Sequence, residues 1–355
     1  MNASAQRCAE TVALDGSNRS EPHAIALWLF ACCALVFAMV VVGGVTRLTH
    51  SGLSITEWQP IVGALPPLSA ADWDEAFRKY QATPEYREVN AGMDVDGFKR
   101  IFWWEYAHRL LGRLIGATFL VPLLWFALRQ RIPPLLAPKL VAIFLLGALQ
   151  GALGWYMVQS GLVDDPRVSQ IRLAAHLGLA PLIFGSMLWV ALSLIRPAQG
   201  GGATRDRLFR YALALVALVF LMTLSGGLVA GIRAGLAYNT FPLMNGHFLP
   251  PEIMLLDPWY RNFVDNMATV QFDHRTIALL LAIAVPSYWW QVRTARAIPP
   301  AARIGADLLL VILVVQATLG IGTLLLVVPP PLAVAHQSTA VLLFAAALNA
   351  AHALR

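Results

Sequence analysis

Trp103-Trp104-Glu105-Tyr106-Ala107-His108-Arg109 places a carboxylate and an imidazole three residues apart where an apolar segment begins. Positions i and i+3 share a helix face, so Glu105 and His108 look into the same space. His176, His274 and His336 are set in the same way, each near the start of an apolar segment. An ionisable or metal-binding side chain at the mouth of a bilayer helix is a functional residue by default. Working outward from this stretch, His108-Arg109 returns as His274-Arg275 and Gln150-x-x-x-Gly154 returns as Gln316-x-x-x-Gly320, both at an offset of 166 residues. Gly43-Gly44 followed by Ser51-Gly52-Leu53 is echoed by Gly226-Gly227 followed by Ala234-Gly235-Leu236, and His176 by His336. Two independent features at one offset mark an internal duplication.

The composition sets the solvent in which this duplication folds. Of 355 residues 58% are hydrophobic and 13% charged, and the mean hydropathy is +0.62, which excludes an ordinary soluble domain. A hydrocarbon core of roughly 30 Å takes about 20 apolar residues per helix. Eight stretches qualify: Ala24 to Thr46, Ala107 to Leu128, Pro138 to Gln159, Leu173 to Ile195, Leu208 to Ala230, Phe272 to Gln291, Ile304 to Val328 and Leu332 to Ala353. The net charge of +6 is not a nucleic-acid signature, because the basic residues fall in particular loops rather than one patch. Arg129, Arg131 and Lys139, then Arg196, Arg205, Arg207 and Arg210, then Arg293, Arg296 and Arg303 place alternate loops in the cytosol. The acid-rich connection from Arg47 to Tyr106 then lies outside, and both termini inside.

The expected architecture is an all-α integral membrane protein of eight transmembrane helices, arranged as two tandem four-helix bundles in a parallel internal repeat. Residues 1–23 form a cytosolic N-terminal tail, and their mixture of acids and bases suits a tail better than a cleaved targeting peptide. Residues 24–195 form the first bundle with its long external loop 47–106, residues 196–207 a cytosolic linker, and residues 208–355 the second bundle. The long loop, rich in Trp and Pro, is expected to cap the outer mouth, with a capped amphipathic helix over Ser69 to Phe77 and a turn region over Gly92 to Gly97. Cys8, Cys32 and Cys33 imply no disulfide framework.

With both termini inside, His108, His176, His274 and His336 all fall near the outer ends of helices running the same way. Facing imidazoles in a four-helix bundle are natural axial ligands of haem iron, so His108 with His176 and His274 with His336 give two haem positions. Zinc is disfavoured because no Cys-containing cluster of four ligands is present. His23, His50, His247 and His352 lack the repeat and read as interfacial or loop residues. Across the repeat Glu105 becomes Gln271 and Arg113 becomes Leu279. Chemistry is therefore assigned to the first bundle, with Glu105 as base or charge stabiliser, and an electron-passing haem to the second. Arg109, Arg113 and Arg275 suit haem propionates, the alternative for Arg109 and Arg275 being to snorkel toward the head groups. Gln150 and Gln316 hydrogen-bond either across helices or to a ligand.

These residues resemble a known family. Gly43-Gly44-Val45-Thr46-Arg47-Leu48-Thr49, Ser51-Gly52-Leu53-Ser54, Trp58-Gln59-Pro60, Glu105-x-x-His108-Arg109, Asn239-Thr240-Phe241-Pro242-Leu243-Met244 and Gln271-Phe272-Asp273-His274-Arg275 together look like haem A synthase. The resemblance implies oxidation of the C8 methyl group of haem O to a formyl group, by two hydroxylations and loss of water. It makes Glu105 the catalytic acid, His108 and His176 ligands of the substrate haem, and His274 and His336 ligands of a resident haem b. Some members carry a cysteine pair in the first external loop, and this sequence has none there. The electron donor stays open. Implied partners are a haem O synthase (protohaem farnesyltransferase), cytochrome oxidase assembly factors, the lipid bilayer and further copies of the chain. The short tail points to a bacterial plasma membrane, with the haem sites toward the periplasm. A dihaem cytochrome b moving electrons without porphyrin chemistry, and a transporter built from parallel repeats, are the competing readings.

Overall fold

The computed structural model describes residues 3–59, 62–163, 165–196, 198 and 202–355, residues 3–20 and 62 by backbone alone. Met1 and Asn2 of the tail, Pro60 of the Trp58-Gln59-Pro60 motif, and residues 197 and 199–201 of the linker lie outside the described residues. Among the described residues, eight helices are long and apolar enough to cross a membrane. They are α1 (Ala3–Leu48), α4 (Val95–Leu128), α5 (Ala137–Gln159), α6 (Gln170–Ile195), α7 (Ala203–Gly231), α9 (Met267–Thr294), α10 (Pro300–Leu325) and α11 (Pro330–His352). Three short helices complete the set: α2 (Ala70–Gln81), α3 (Pro84–Glu88) and α8 (Asn262–Asp265). Among the described residues there is no strand, only an isolated bridge between Met244 and His247.

The helices close into two rings. α1 packs on α4, α4 on α5, α5 on α6 and α6 back on α1; α7 packs on α9, α9 on α10, α10 on α11 and α11 back on α7. α6 against α7, α1 against α11 and α6 against α11 join the rings. A continuous apolar core runs through both, from Leu29 and Val36 of α1 to Met187 of α6, Leu215 of α7, Tyr288 of α9 and Phe344 of α11. Without a hydrophobic drive between helices in lipid, small residues permit the close crossings. A Cβ on Gly227 of α7 would meet the Ala174 backbone at 3.0 Å, and one on Gly305 of α10 would meet that of Ala350 at 3.1 Å.

Several elements begin earlier than hydropathy suggests. α4 starts at Val95, twelve residues before Ala107, because Asp94 caps it by accepting from the Gly97 amide at 2.7 Å. Its first turns are kept helical by burying Phe98, Phe102 and Tyr106 against the connection, not by lipid. Glu105 and His108 therefore sit well inside a 34-residue helix rather than at its start. The linker shortens likewise, since α7 begins at Ala203. α10 stops at Leu325, before the expected Val328, where Val327 and Val328 turn to positive φ. α4, α6 and α9 run on through Pro122, Pro181 and Pro286.

The long connection folds into a cap as its aromatics suggest. Ser69 caps α2 in a reciprocal box, its hydroxyl accepting from the Asp72 amide while the Asp72 carboxylate accepts from the Ser69 amide. Tyr80 of α2 is fully buried and stacks on Phe98 at 5.2 Å, while Trp73 meets Phe102 edge-on at 4.9 Å. Such pairs add about 0.5–1.5 kcal/mol each beyond the area they bury. This aromatic cluster seats the cap on the same flank of α4 that carries Glu105 one turn further on.

Candidate active site

Glu105 is 2% exposed and fully engaged. Its Oε2 accepts from the Ser54 hydroxyl at 2.8 Å and from the Ile55 amide at 2.8 Å. Its Oε1 accepts from Arg109 Nε at 3.1 Å and Nη2 at 2.8 Å. The i, i+4 spacing on α4 makes this ion pair local, whereas Ser54 and Ile55 reach it from the connection some fifty residues away. Arg109 then ties the connection down, donating from Nη2 to the Ile55 carbonyl at 2.7 Å and from Nη1 to that of Glu57 at 2.9 Å. Arg113, one turn on, donates to the Gln59 carbonyl at 2.8 Å. Buried charges persist only when paired and hydrogen-bonded, and here all four donors converge on one carboxylate.

The four histidines share a second device. Each ring lies against a glycine of a neighbouring helix: His108 on Gly43 of α1, His176 on Gly154 of α5, His274 on Gly226 of α7 and His336 on Gly320 of α10. A Cβ on Gly154 would meet the His176 ring at 2.8 Å and one on Gly320 the His336 ring at 2.7 Å. The repeated Gln-x-x-x-Gly pattern thus has a steric meaning, the glycine making room for the ring. One turn before it, Gln150 Nε2 donates to the His176 carbonyl at 3.0 Å, while the Gln316 carbonyl lies 3.2 Å from His336 Nδ1. Ser225 Oγ lies 3.2 Å from His274 Nδ1. An Nδ1 held this way leaves Nε2 to offer its lone pair to a metal, the arrangement metal-binding histidines adopt.

The rings of His108 and His176 are close enough to interact electrostatically, as are those of His274 and His336. His176 Nδ1 and the side-chain oxygens of Gln150, Gln271 and Gln316 are buried without a partner. Paired imidazoles, cradles that a single methyl would fill, and orphaned polar atoms around them fit an iron porphyrin. The remaining histidines sit elsewhere. His50 and His247 lie in connections, and His352 is buried at the far end of α11, edge-on to Trp189, rather than interfacial.

In the second ring, Gln271 takes the place of Glu105 and is as deeply buried, at 3% exposed. Its Nε2 donates to the Tyr238 carbonyl at 3.1 Å, and Arg275 Nη2 donates to the same carbonyl at 3.0 Å. Ile55, Ser225 and Tyr238 escaped the sequence reading, and Ser54 enters it only as part of a motif, without a role. The one signal that could have found two of them is the glycine echo, since carrying Gly52-Leu53 onto Gly235-Leu236 carries Ile55 onto Tyr238. A further buried acid, Glu85 of α3, was legible only as one loop acid among several.

The sequence of the chain is matched by known proteins. The family model COX15-CtaA, cytochrome oxidase assembly protein, matches residues 26–348. The chain is 63% identical over 335 residues to the heme A synthase of Nitrosospira multiformis, covering 93% of each. It is 57% identical over 327 residues to that of Nitrosomonas eutropha, covering 91% of this chain and 92% of the relative. It is 51% identical over 334 residues to that of Parvibaculum lavamentivorans, covering 94% of each. The chain belongs to the COX15-CtaA family of cytochrome oxidase assembly proteins.

Proposed function

We propose that this chain is a membrane oxidoreductase that converts haem O to haem A, oxidising the C8 methyl group to a formyl group by two hydroxylations and loss of water from the resulting hydrate. The names of the relatives support the reaction. The observation that carries the assignment of chemistry to the first ring is the Glu105 clamp, which has no counterpart around Gln271. The two rings act as tandem four-helix bundles, with both termini in the cytosol of a bacterium and the histidines toward the periplasmic face of its plasma membrane. His108 and His176 hold the substrate haem O, and His274 and His336 hold a resident haem b. That haem b supplies one-electron transfer. A homo-oligomer, and contact with the enzyme that makes haem O, would shorten the transfer of a greasy substrate through the bilayer.

The chain's own residues do the rest. Glu105, oriented by hydrogen bonds from Arg109, Ser54 and the Ile55 amide, accepts a proton from the reacting centre or opposes positive charge developing there. Arg109 and Arg113 close the connection over that centre and exclude water, which strengthens every charge interaction beneath it. Gly43 and Gly154 set how close the substrate-side imidazoles lie to their helices. A dihaem electron carrier would account for the histidine pairs but gives Glu105 and its four donors nothing to do.

Extracting the haems from the purified full chain and separating them by chromatography tests the reading. Haem b accompanied by haem O or haem A is expected, and haem b alone would overturn it. Glu105→Gln is expected to keep haem b and accumulate haem O without haem A.

A further inference from the structure

Resting on the reading of haem O as the substrate, we infer that Gly147 of α5 and Gly116 of α4 form an opening in the first ring that takes the farnesyl chain of haem O. Leu313 closes the second ring to that chain. The two glycines are specificity-determining residues, separate from the histidine cradles and from the Glu105 clamp.

The argument starts on α5, where Leu140, Ile143, Gly147, Gln150 and Gly154 share one helix face. That face looks into the ring at both ends. Leu140 and Ile143 are buried in the core, Gln150 donates to the His176 carbonyl of α6, and Gly154 lies against the His176 ring. Gly147 sits between them, yet it is exposed, and a Cβ there would meet no neighbour within 4 Å. Helix interiors pack closely and leave few such gaps. One turn outward on the same face, the side-chain oxygen of Gln150 is buried without a partner, the mark of a polar atom that faces a ligand. Gln316 has the same orphaned oxygen, so that atom belongs to what both rings hold, and the gap at Gly147 to what only the first ring holds.

The gap is open from α4 as well. α4 and α5 are consecutive spans, and Phe119 stacks on Phe144 with ring centroids 6.3 Å apart. One turn outward from that pair α4 presents Gly116 and α5 presents Gly147, and a Cβ on Gly116 would also meet nothing within 4 Å. The aromatic pair is the floor of the opening, and its two walls carry no side chain.

The second ring is built otherwise. At the 166-residue offset the face of α10 reads Ala306, Leu309, Leu313, Gln316 and Gly320. The apolar, Gln and Gly positions are kept, and Gly147 alone is exchanged for a bulky side chain. Leu313 is buried, 8% exposed, in the apolar core. Haem O differs from haem b in carrying a farnesyl chain. Such a chain gains by leaving water for an apolar gap, and it is turned away where a packed side chain already stands, which is how a site rejects the wrong ligand. The opening lies on the side of His176 away from the cap, so the chain runs toward the middle of the bilayer and the charged propionates stay at the aqueous end.

The test reads binding rather than turnover. Haem O and haem b are titrated separately into the purified full chain and followed in the Soret region, for the parent, Gly147→Leu and Gly116→Leu. Each variant should weaken haem O at least tenfold, leave added haem b bound as in the parent, and keep the resident haem b found on extraction. Parental haem O affinity in both variants would overturn the inference, as would equal weakening of both haems or loss of the resident haem b in both. The reciprocal chain, Leu313→Gly combined with His108→Ala, keeps both imidazoles only in the second ring; it should bind haem O where His108→Ala alone does not, and equal failure of the two would also overturn it. A parent that binds haem O but never yields haem A would sink the proposed reaction and leave the opening standing.

Discussion

Glu105 and Gln271 occupy corresponding places on α4 and α9, equally buried, each four residues before an arginine that reaches for a loop carbonyl. Arg109 donates to the Ile55 carbonyl and Arg275 to the Tyr238 carbonyl, so the scaffolds coincide to the level of single hydrogen bonds. One exchange of side chain then reverses the polarity of the site. A carboxylate can only accept, and around Glu105 the Ser54 hydroxyl, the Ile55 amide and Arg109 are turned to donate. An amide can donate, and Gln271 does so to the Tyr238 carbonyl while its own oxygen goes unpartnered. A duplicated fold can thus keep two equivalent histidine pairs and confine charge to one of them.

The largest effect should come from erasing that difference. Glu105→Gln is expected to lower haem A formation about 10²–10⁴-fold, the usual worth of a positioned general base, with haem b retained. A parental rate, read as haem A per haem O by chromatography, would break the comparison. Arg109→Ala removes one partner of a buried ion pair and should destabilise the fold by about 3–5 kcal/mol. Arg275→Ala removes only hydrogen bonds to carbonyls and should lose about 1–2 kcal/mol. Equal shifts in thermal unfolding of the purified protein would mean that the two arginines do the same work.

The glycine cradles sharpen the comparison in another direction. Gly320→Val drives a side chain into the His336 ring and should abolish the haem b difference spectrum while leaving haem O bound. Gly154→Val should do the reverse through His176. Loss of both haems in either variant would mean that the rings are not independent. Ser54→Ala, which removes one of four donors to Glu105, should be mildest, at about 1 kcal/mol in stability and a few-fold in rate.

Stability against pH gives a further check on the buried acid beside this site. The folded-state value of Glu85, about 8, lies above the ordinary carboxylate range, so the folded protein holds a proton that the unfolded chain releases. Stability contributed by that group is present at low pH and lost as pH rises from about 4.5 through about 8. Thermal unfolding temperatures of the parent should fall relative to Glu85→Gln across that window, and parallel curves would place Glu85 in water.

Much of this was open to reading in the chain itself, because it depends on short spacings and on the thickness of a bilayer. Eight apolar runs of sufficient length, the i, i+3 pairing of Glu105 with His108, the i, i+4 pairing of Gln150 with Gly154, and a repeat that keeps His274 but replaces Glu105 with Gln271 are all local patterns or offsets. Hydropathy placed the starts of α4 and α7 too late, since it registers lipid-facing residues and α4 is extended by aromatics buried under the cap. Only the tertiary structure could bring Ser54 and Ile55 onto Glu105, turn each glycine toward a particular imidazole, and bury Glu85 with a carboxylate oxygen unpartnered. Those contacts join segments far apart in the chain, where the entropy of closing the loop is settled by packing and no sequence period records it.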